Sequence, residues 1–226
     1  MFQSIAETLV RAWPFLTKGF EITIEIWAIS IAFGIVIGLV SCLMKLSRFK
    51  ILNFIAQFYI WLIRGTPMLV QALVIYLGLP QVFIGFAPSP FLAGAITLSL
   101  NAGAYLAEIF RSGIQAVPKG QTEAARSLGL SSARTTLKIV LPQAVKIAVP
   151  PMVNQFIITL KDTSILTVVG LAEIVNKAGQ YVNVYYDFFE TYVCVGLFYL
   201  AFTSLLMIFA NYMEKRLNYD RKNSRS

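Results

Sequence analysis

Long uncharged apolar runs alternate with short polar segments along this chain, and the alternation predicts its elements. Residues 26–44 carry no charge, Ile22 extends the run outward, and Lys45, Arg48 and Lys50 close it. A second run, residues 51–79, is interrupted by Arg64-Gly65-Thr66-Pro67. At ~1.5 Å per residue this run matches one bilayer crossing, so we expect a single span with a break or bend where Pro67 removes a donor. Pro80 to Pro90 reads as an uncharged loop. The third span covers residues 91–113 and carries Asn101, Glu108 and Arg111. The fourth covers residues 139–160, with breaks expected at Pro142 and at Pro150-Pro151. Residues 161–190 are mixed, and read as a short re-entrant or surface helix before an interfacial stretch with Tyr181, Tyr185 and Tyr186. The fifth span, residues 191–213, is uncharged, and a basic tail, residues 215–226, follows.

Residues 1–19 have a different pattern. Phe2, Ile5, Leu9, Trp13 and Leu16 fall at three- and four-residue steps, with Arg11 and Lys18 off the stripe. That pattern predicts an interfacial amphipathic helix, kinked or ended by Pro14. Glu7 and the lack of a continuous apolar core argue against a cleavable signal peptide.

Composition fits this picture. A 57% hydrophobic content with 13% charged residues, and a mean hydropathy of +0.69, mark a polytopic all-α integral membrane protein with five transmembrane helices over residues 20–214. The net charge of +8 sits at the ends of apolar runs rather than on a soluble face, so nucleic acid is not an expected partner. One side collects Lys45, Arg48, Lys50, Arg111, Lys119, Arg126, Arg134, Lys138, Lys146 and the basic tail; the other holds Arg11, Lys18, Lys161 and Lys177. The positive-inside rule then puts the N-terminus outside and the C-terminus in the cytoplasm.

Enzyme chemistry finds little support. There is no histidine, no zinc-ligand spacing and no GxxxxGK[ST] phosphate loop, so no metal or cofactor is expected on this chain. Cys42 and Cys194 lie inside apolar runs, where a structural disulfide is not expected. Polar groups at bilayer depth are costly and mark candidate pathways. Gln71 and Asn101 fall near mid-depth, and Asn154 and Gln155 follow the Pro150-Pro151 pair. Interhelical amide bonding is the competing explanation for each. Arg64 needs a carboxylate, with Asp162 or Glu108 as candidates, or a carbonyl, or snorkels to a headgroup, while Glu108 and Arg111 form an ion pair one turn apart. Gly34 and Gly38 form a GxxxG pair of the kind that permits close helix contact, including at dimer faces.

The longest block without a membrane-like run is residues 120–142. Residues 123–128 favour helix, Gly129 is the natural left-handed stop, and Ser131 or Ser132 can cap a second helix carrying Arg134 and Lys138. A compact helix–glycine–helix with Leu128 and Leu130 at its tip has the form of a docking surface, with an ordinary cytoplasmic loop as the competing reading.

Glu123-Ala124-Ala125, Gly129 and Ile139-Val140-Leu141-Pro142 match EAA–x3–G–x9–I–x–L–P, and with this spacing the chain resembles the permease subunits of ABC importers. The segments RGTPMLVQ from Arg64, NAGAYLAEIFR from Asn101, Lys119-Gly120-Gln121 and LKDTS from Leu160 are similar to the polar amino-acid branch, which includes histidine and glutamine permeases. The resemblance covers residues 19 to 214. It implies a homo- or heterodimer of permeases in the bacterial inner membrane, two cytoplasmic ATPase subunits carrying ATP and Mg, and an extracytoplasmic binding protein. It also makes residues 118–138 the coupling loop, with Glu123, Ala124, Ala125, Leu128, Gly129 and Leu130 at the ATPase dock. An amino-acid substrate would then meet Gln71, Ser99, Asn101, Gln155, Lys161 and Asp162. A secondary transporter or channel without an ATPase is the alternative.

Overall fold

The computed structural model describes residues 2–223, and side chains from residue 5 to 215. Helix α1 is one continuous rod, Phe2–Leu46. It does not end at Pro14, and the residues expected to lie on the membrane surface pack on protein instead. Ala12 and Leu16 are fully buried with Ile174, Ala178, Tyr181 and Cys194, and Ile5, Leu9 and Phe20 pack around them. Tertiary packing of this face outweighs the one backbone bond that Pro14 forfeits. Trp13 stays half exposed, and Phe2 lies outside the described side chains.

Helix α2, Lys50–Gly65, ends at the Arg64–Pro67 interruption. The chain turns there by 106° into α3, Met68–Leu73, a π turn, Val74–Gly78, and α4, Leu79–Val82. The single broken span expected from sequence is therefore sharply bent.

Helix α5, Pro90–Gln115, is the central strut, and its many small side chains explain why. The pair Gly34 and Gly38 faces α5 of the same chain. A Cβ on Gly38 would lie 2.8 Å from Leu106 Cβ and 3.1 Å from the Gly103 carbonyl oxygen. Small residues let the two backbones approach, so the GxxxG pair is an internal seam. Because Gly34 meets Ala102 and Gly38 meets Leu106, α1 and α5 run parallel.

Helix α6, Lys119–Ser127, follows, then α7, Ser132–Thr135, a π turn, Thr136–Val140, and α8, Leu141–Asp162. The helical path is unbroken from Ser132 to Val169, so neither Pro142 nor Pro150-Pro151 interrupts the fourth span. Pro142 sits at the start of α8, directly after the π turn, where the bonding pattern has already widened. At Pro150-Pro151 the helix is held by burial of Ala144, Ala148, Val153 and Ile157. Gly113 meets the Ala144 carbonyl at a virtual Cβ distance of 2.8 Å. Tyr59 Oη donates to the Leu100 carbonyl (2.6 Å) and Trp27 Nε1 to the Phe156 carbonyl (2.9 Å), tying α2 to α5 and α1 to α8.

Beyond α8 a 3₁₀ segment, Thr163–Val169, turns at left-handed Gly170 (φ 79°) into α9, Ile174–Tyr185. Its buried residues join Ile26, Ala72, Ala95 and Leu98 in a second core cluster. Helix α10, Phe188–Asn223, closes the bundle and runs into the stretch read as a separate basic tail. The side chains of Arg216, Arg221 and Lys222, and all of Arg225, lie outside the described residues.

Candidate coupling surface and transport pathway

The α6–α7 corner is built by its own sequence. Leu130 N donates to the Ala125 carbonyl (3.1 Å) and Gly129 N to the Arg126 carbonyl (3.0 Å), the paired bonds of a Schellman end. That end requires a left-handed residue, and Gly129 supplies it at φ 82°. Arg126 Nη1 folds back onto the Leu130 carbonyl at 2.9 Å, closing the tip from its other side. Ser131 Oγ then accepts from Arg134 N (3.4 Å), so of the two candidate caps Ser131 is used.

The corner presents Leu128 outward at 82% exposure, with Glu123 and Ala124 exposed beside it. Ala125 points the other way: it is 6% exposed on a helix that packs against the Thr136–Val140 turn. Of the six residues expected at the dock, Ala125 therefore braces the corner from inside and Leu130 is half-buried. An exposed leucine on a rigid, internally bonded corner costs free energy in water and suits an apolar cleft on a partner.

Several of the polar residues expected along the pathway find partners in their own or adjoining elements. Gln71 Nε2 donates to the Ile63 carbonyl (2.7 Å), the Thr66 carbonyl (3.1 Å) and Thr66 Oγ1 (2.9 Å), carbonyls left open by the 106° bend. Its Oε1 is buried without a partner among the described residues. Ser99 Oγ donates to the Ala95 carbonyl at 2.6 Å within α5. Gln155 Nε2 reaches Thr159 Oγ1 at 3.3 Å within α8 and is 4% exposed. Asn101 is 8% exposed. Lys161 is exposed and Asp162 half-buried at the end of α8. The structure thus satisfies Ser99 and Gln155 inside their own helices, and joins Gln71 to the bend.

Arg64 pairs with neither expected carboxylate in the contacts observed: its Cζ lies 5.0 Å from the centroid of the Tyr105 ring. Glu108 is committed elsewhere. It binds Arg111 Nη2 at 2.7 Å, as expected from sequence, and Lys45 Nζ at 2.6 Å. Sequence reasoning missed Lys45 and Tyr105 because both contacts join separate elements. It also missed Glu173, which is fully buried and caps α9. The glutamate placed before the apolar Ile174-Val175 pair was the available signal.

A bundle of helices long and apolar enough to cross a bilayer, one pair of them sharply bent, defines an integral membrane protein. The comparisons agree. The chain belongs to the family of binding-protein-dependent transport system inner membrane components, whose model matches residues 30–219. It is 38% identical to the arginine transport system permease protein ArtQ of Bacillus subtilis, over 90% of this chain and 93% of that one. It is 36% identical to the glutamine transport system permease protein GlnP of Escherichia coli K12, over 91% and 94%. Among solved structures, a chain of an amino acid ABC transporter crystallised with histidines superposes with a TM-score of 0.88 at 38% identity, covering 92% of this chain and 97% of that one. A chain of the inward-facing methionine transporter MetNI shares the fold, with a TM-score of 0.74 at 20% identity, covering 90% and 96%.

Proposed function

We propose that this chain is the membrane-spanning permease subunit of an importer for a polar or charged amino acid, driven by ATP hydrolysis on separate cytoplasmic subunits. The observation that carries the reading is the Gly129 corner with Leu128 at its tip, placed in the EAA–G–I–L–P spacing. Two ATPase subunits, holding ATP and Mg, would each receive such a corner, since the permease pairs with a second copy or a related chain. Closure of the ATPases would move α6 and, through the unbroken path from Ser132 to Val169, the fourth span. An extracytoplasmic binding protein would deliver the substrate on the opposite side. The gathering of Lys45, Arg48, Lys50, Arg111, Lys119, Arg126, Arg134, Lys138 and Lys146 on one side supports a bacterial inner-membrane topology with the N-terminus outside.

Within the membrane, we place the amino acid along Gln71, Ser99, Asn101, Gln155, Lys161 and Asp162. Gln71 Oε1 offers an acceptor to an ammonium group, and Asp162 and Lys161 present both charges to a zwitterion. The test is purification with the native ATPase subunit and measurement of which amino acids stimulate ATP hydrolysis. Stimulation by one polar amino acid is expected. A membrane complex without an ATPase subunit would favour a carrier driven by an ion gradient.

A further inference from the structure

Two anchored bodies meet between Thr135 and Ala144. On the corner side, Thr135 is buried and its hydroxyl donates to the Ser131 carbonyl (3.0 Å). Ala125 is buried on α6, which packs against the Thr136–Val140 turn. On the other side, Ala144 and Ala148 of α8 are buried against α5. A Cβ on Gly113 would lie 2.8 Å from the Ala144 carbonyl oxygen and 3.0 Å from Ala148 Cβ, so the start of α8 sits hard on α5. Between these bodies Thr136, Leu137, Lys138, Leu141 and Pro142 are exposed.

The backbone of this link is short of hydrogen bonds. Thr136–Val140 is a π turn, with Leu141 N donating to the Thr136 carbonyl five residues back. Where five-residue spacing gives way to four, one carbonyl is skipped, and Pro142 at the same place has no N–H to give. One side chain makes up part of the loss. Gln143 Nε2 donates to the Ile139 carbonyl at 2.9 Å, tying the π turn to the first turn of α8. Threonine and serine make such bonds inside regular helix, as Thr97 and Ser99 do in α5. A glutamine, with its longer side chain, does so at a break: Gln71 serves the carbonyls of the 106° bend after Pro67 in the same way.

We propose that Gln143 is a positioning residue for coupling. Its amide holds the π turn in register between the corner and the fourth span, so a displacement of the corner is delivered to α8 instead of being absorbed in residues 136–142. The inference rests on the function proposed above, in which closure of the ATPases moves α6. What the Ile139 carbonyl needs is a donor. Another donor can therefore replace the glutamine, and a side chain of similar shape without one cannot.

Three substitutions separate the donor from the shape: Q143M is apolar, Q143E carries a carboxylate that only accepts, and Q143K donates. Hydrogen exchange over residues 136–146 of the purified permease–ATPase complex reads the link without substrate. Exchange is expected to be several-fold faster in Q143M and Q143E and close to wild type in Q143K. Unchanged exchange in Q143M and Q143E overturns the proposal. The second readout is uptake per ATP hydrolysed in proteoliposomes, with L-glutamine and L-arginine as probes. Q143M and Q143E are expected to retain the ATPase subunit at the wild-type level and to transport several-fold less per ATP, with Q143K restoring the ratio. A merely structural glutamine would lower yield or melting temperature and leave that ratio alone. A ratio unchanged in Q143M, or lost equally in Q143K, overturns the proposal. Should Q143M accumulate poorly, Q143E against Q143K makes the same comparison. A wild-type complex that hydrolyses ATP and moves neither amino acid counts against the function proposed above, and the exchange comparison then decides the role of Gln143.

Discussion

Lys45 Nζ lies 2.6 Å from Glu108 Oε1, so the end of α1 is clamped to α5 by a charge pair that no local pattern announces. Arg111 holds the other oxygen of the same carboxylate at 2.7 Å, leaving one anion between two cations at about a fifth exposure. Replacing Glu108 by alanine strands both cations and should cost about 1–3 kcal/mol. Replacing Lys45 leaves the Glu108–Arg111 pair intact and should cost less. Thermal denaturation of the detergent-solubilised single and double mutants checks the order; equal losses for E108A and K45A would contradict it.

Gly113→Ala should be poorly tolerated, because the added Cβ meets the Ala144 carbonyl oxygen at 2.8 Å and that atom is backbone. Overpacking of this kind costs about 1–3 kcal/mol. Gly65→Ala and Gly120→Ala add a methyl where nothing lies within 4 Å. Yield of folded protein should fall for the first variant and hold for the other two.

Gln71→Leu removes the donor that serves the Ile63 and Thr66 carbonyls at the bend. The cost should be about 1–3 kcal/mol in stability, since the carbonyls lose their partner. Uptake kinetics separate this role from substrate contact. A lower melting temperature with unchanged KM marks a purely structural residue, and a raised KM marks contact through Oε1.

Stability should also depend on pH through Glu173. Its folded value of about 7 lies above the ordinary 4.5, so the folded chain binds the proton more tightly than the unfolded one. The contribution is fully present below 4.5, shrinks as pH rises towards 7, and is gone above that, a change on the order of 3 kcal/mol. Melting temperature of wild type should fall across that window, and that of E173Q should fall less.

The α6–α7 corner was legible because its determinants are local. Gly129 needs its left-handed conformation from the residues beside it, and Ser131 caps a helix that starts at the next position. Apolar runs marked the spans for the same reason: length and composition suffice to cross a bilayer. Pro150-Pro151 was misread, and Pro14 does not end its helix, because the penalty of a proline is local, while the packing that overrides it comes from distant helices. Gly34 and Gly38 showed a close approach without naming the partner, which is α5 of the same chain. The polar residues of the spans shared that ambiguity. Ser99 and Gln155 bond within their helices, and a mid-depth amide looks the same in sequence whether it serves a helix or a substrate.

Leu128→Asp offers the most direct measurement of the central claim, that the exposed corner seats the ATPase. The substitution charges a side chain that is 82% exposed and leaves the internal bonds of Gly129, Leu130 and Arg126 intact, so the permease itself should still accumulate in the membrane. Co-purification of the native ATPase subunit with wild-type and L128D permease is compared at equal permease yield. The ATPase is expected to be retained by wild type and lost by L128D. Undiminished ATPase recovery with L128D would contradict it.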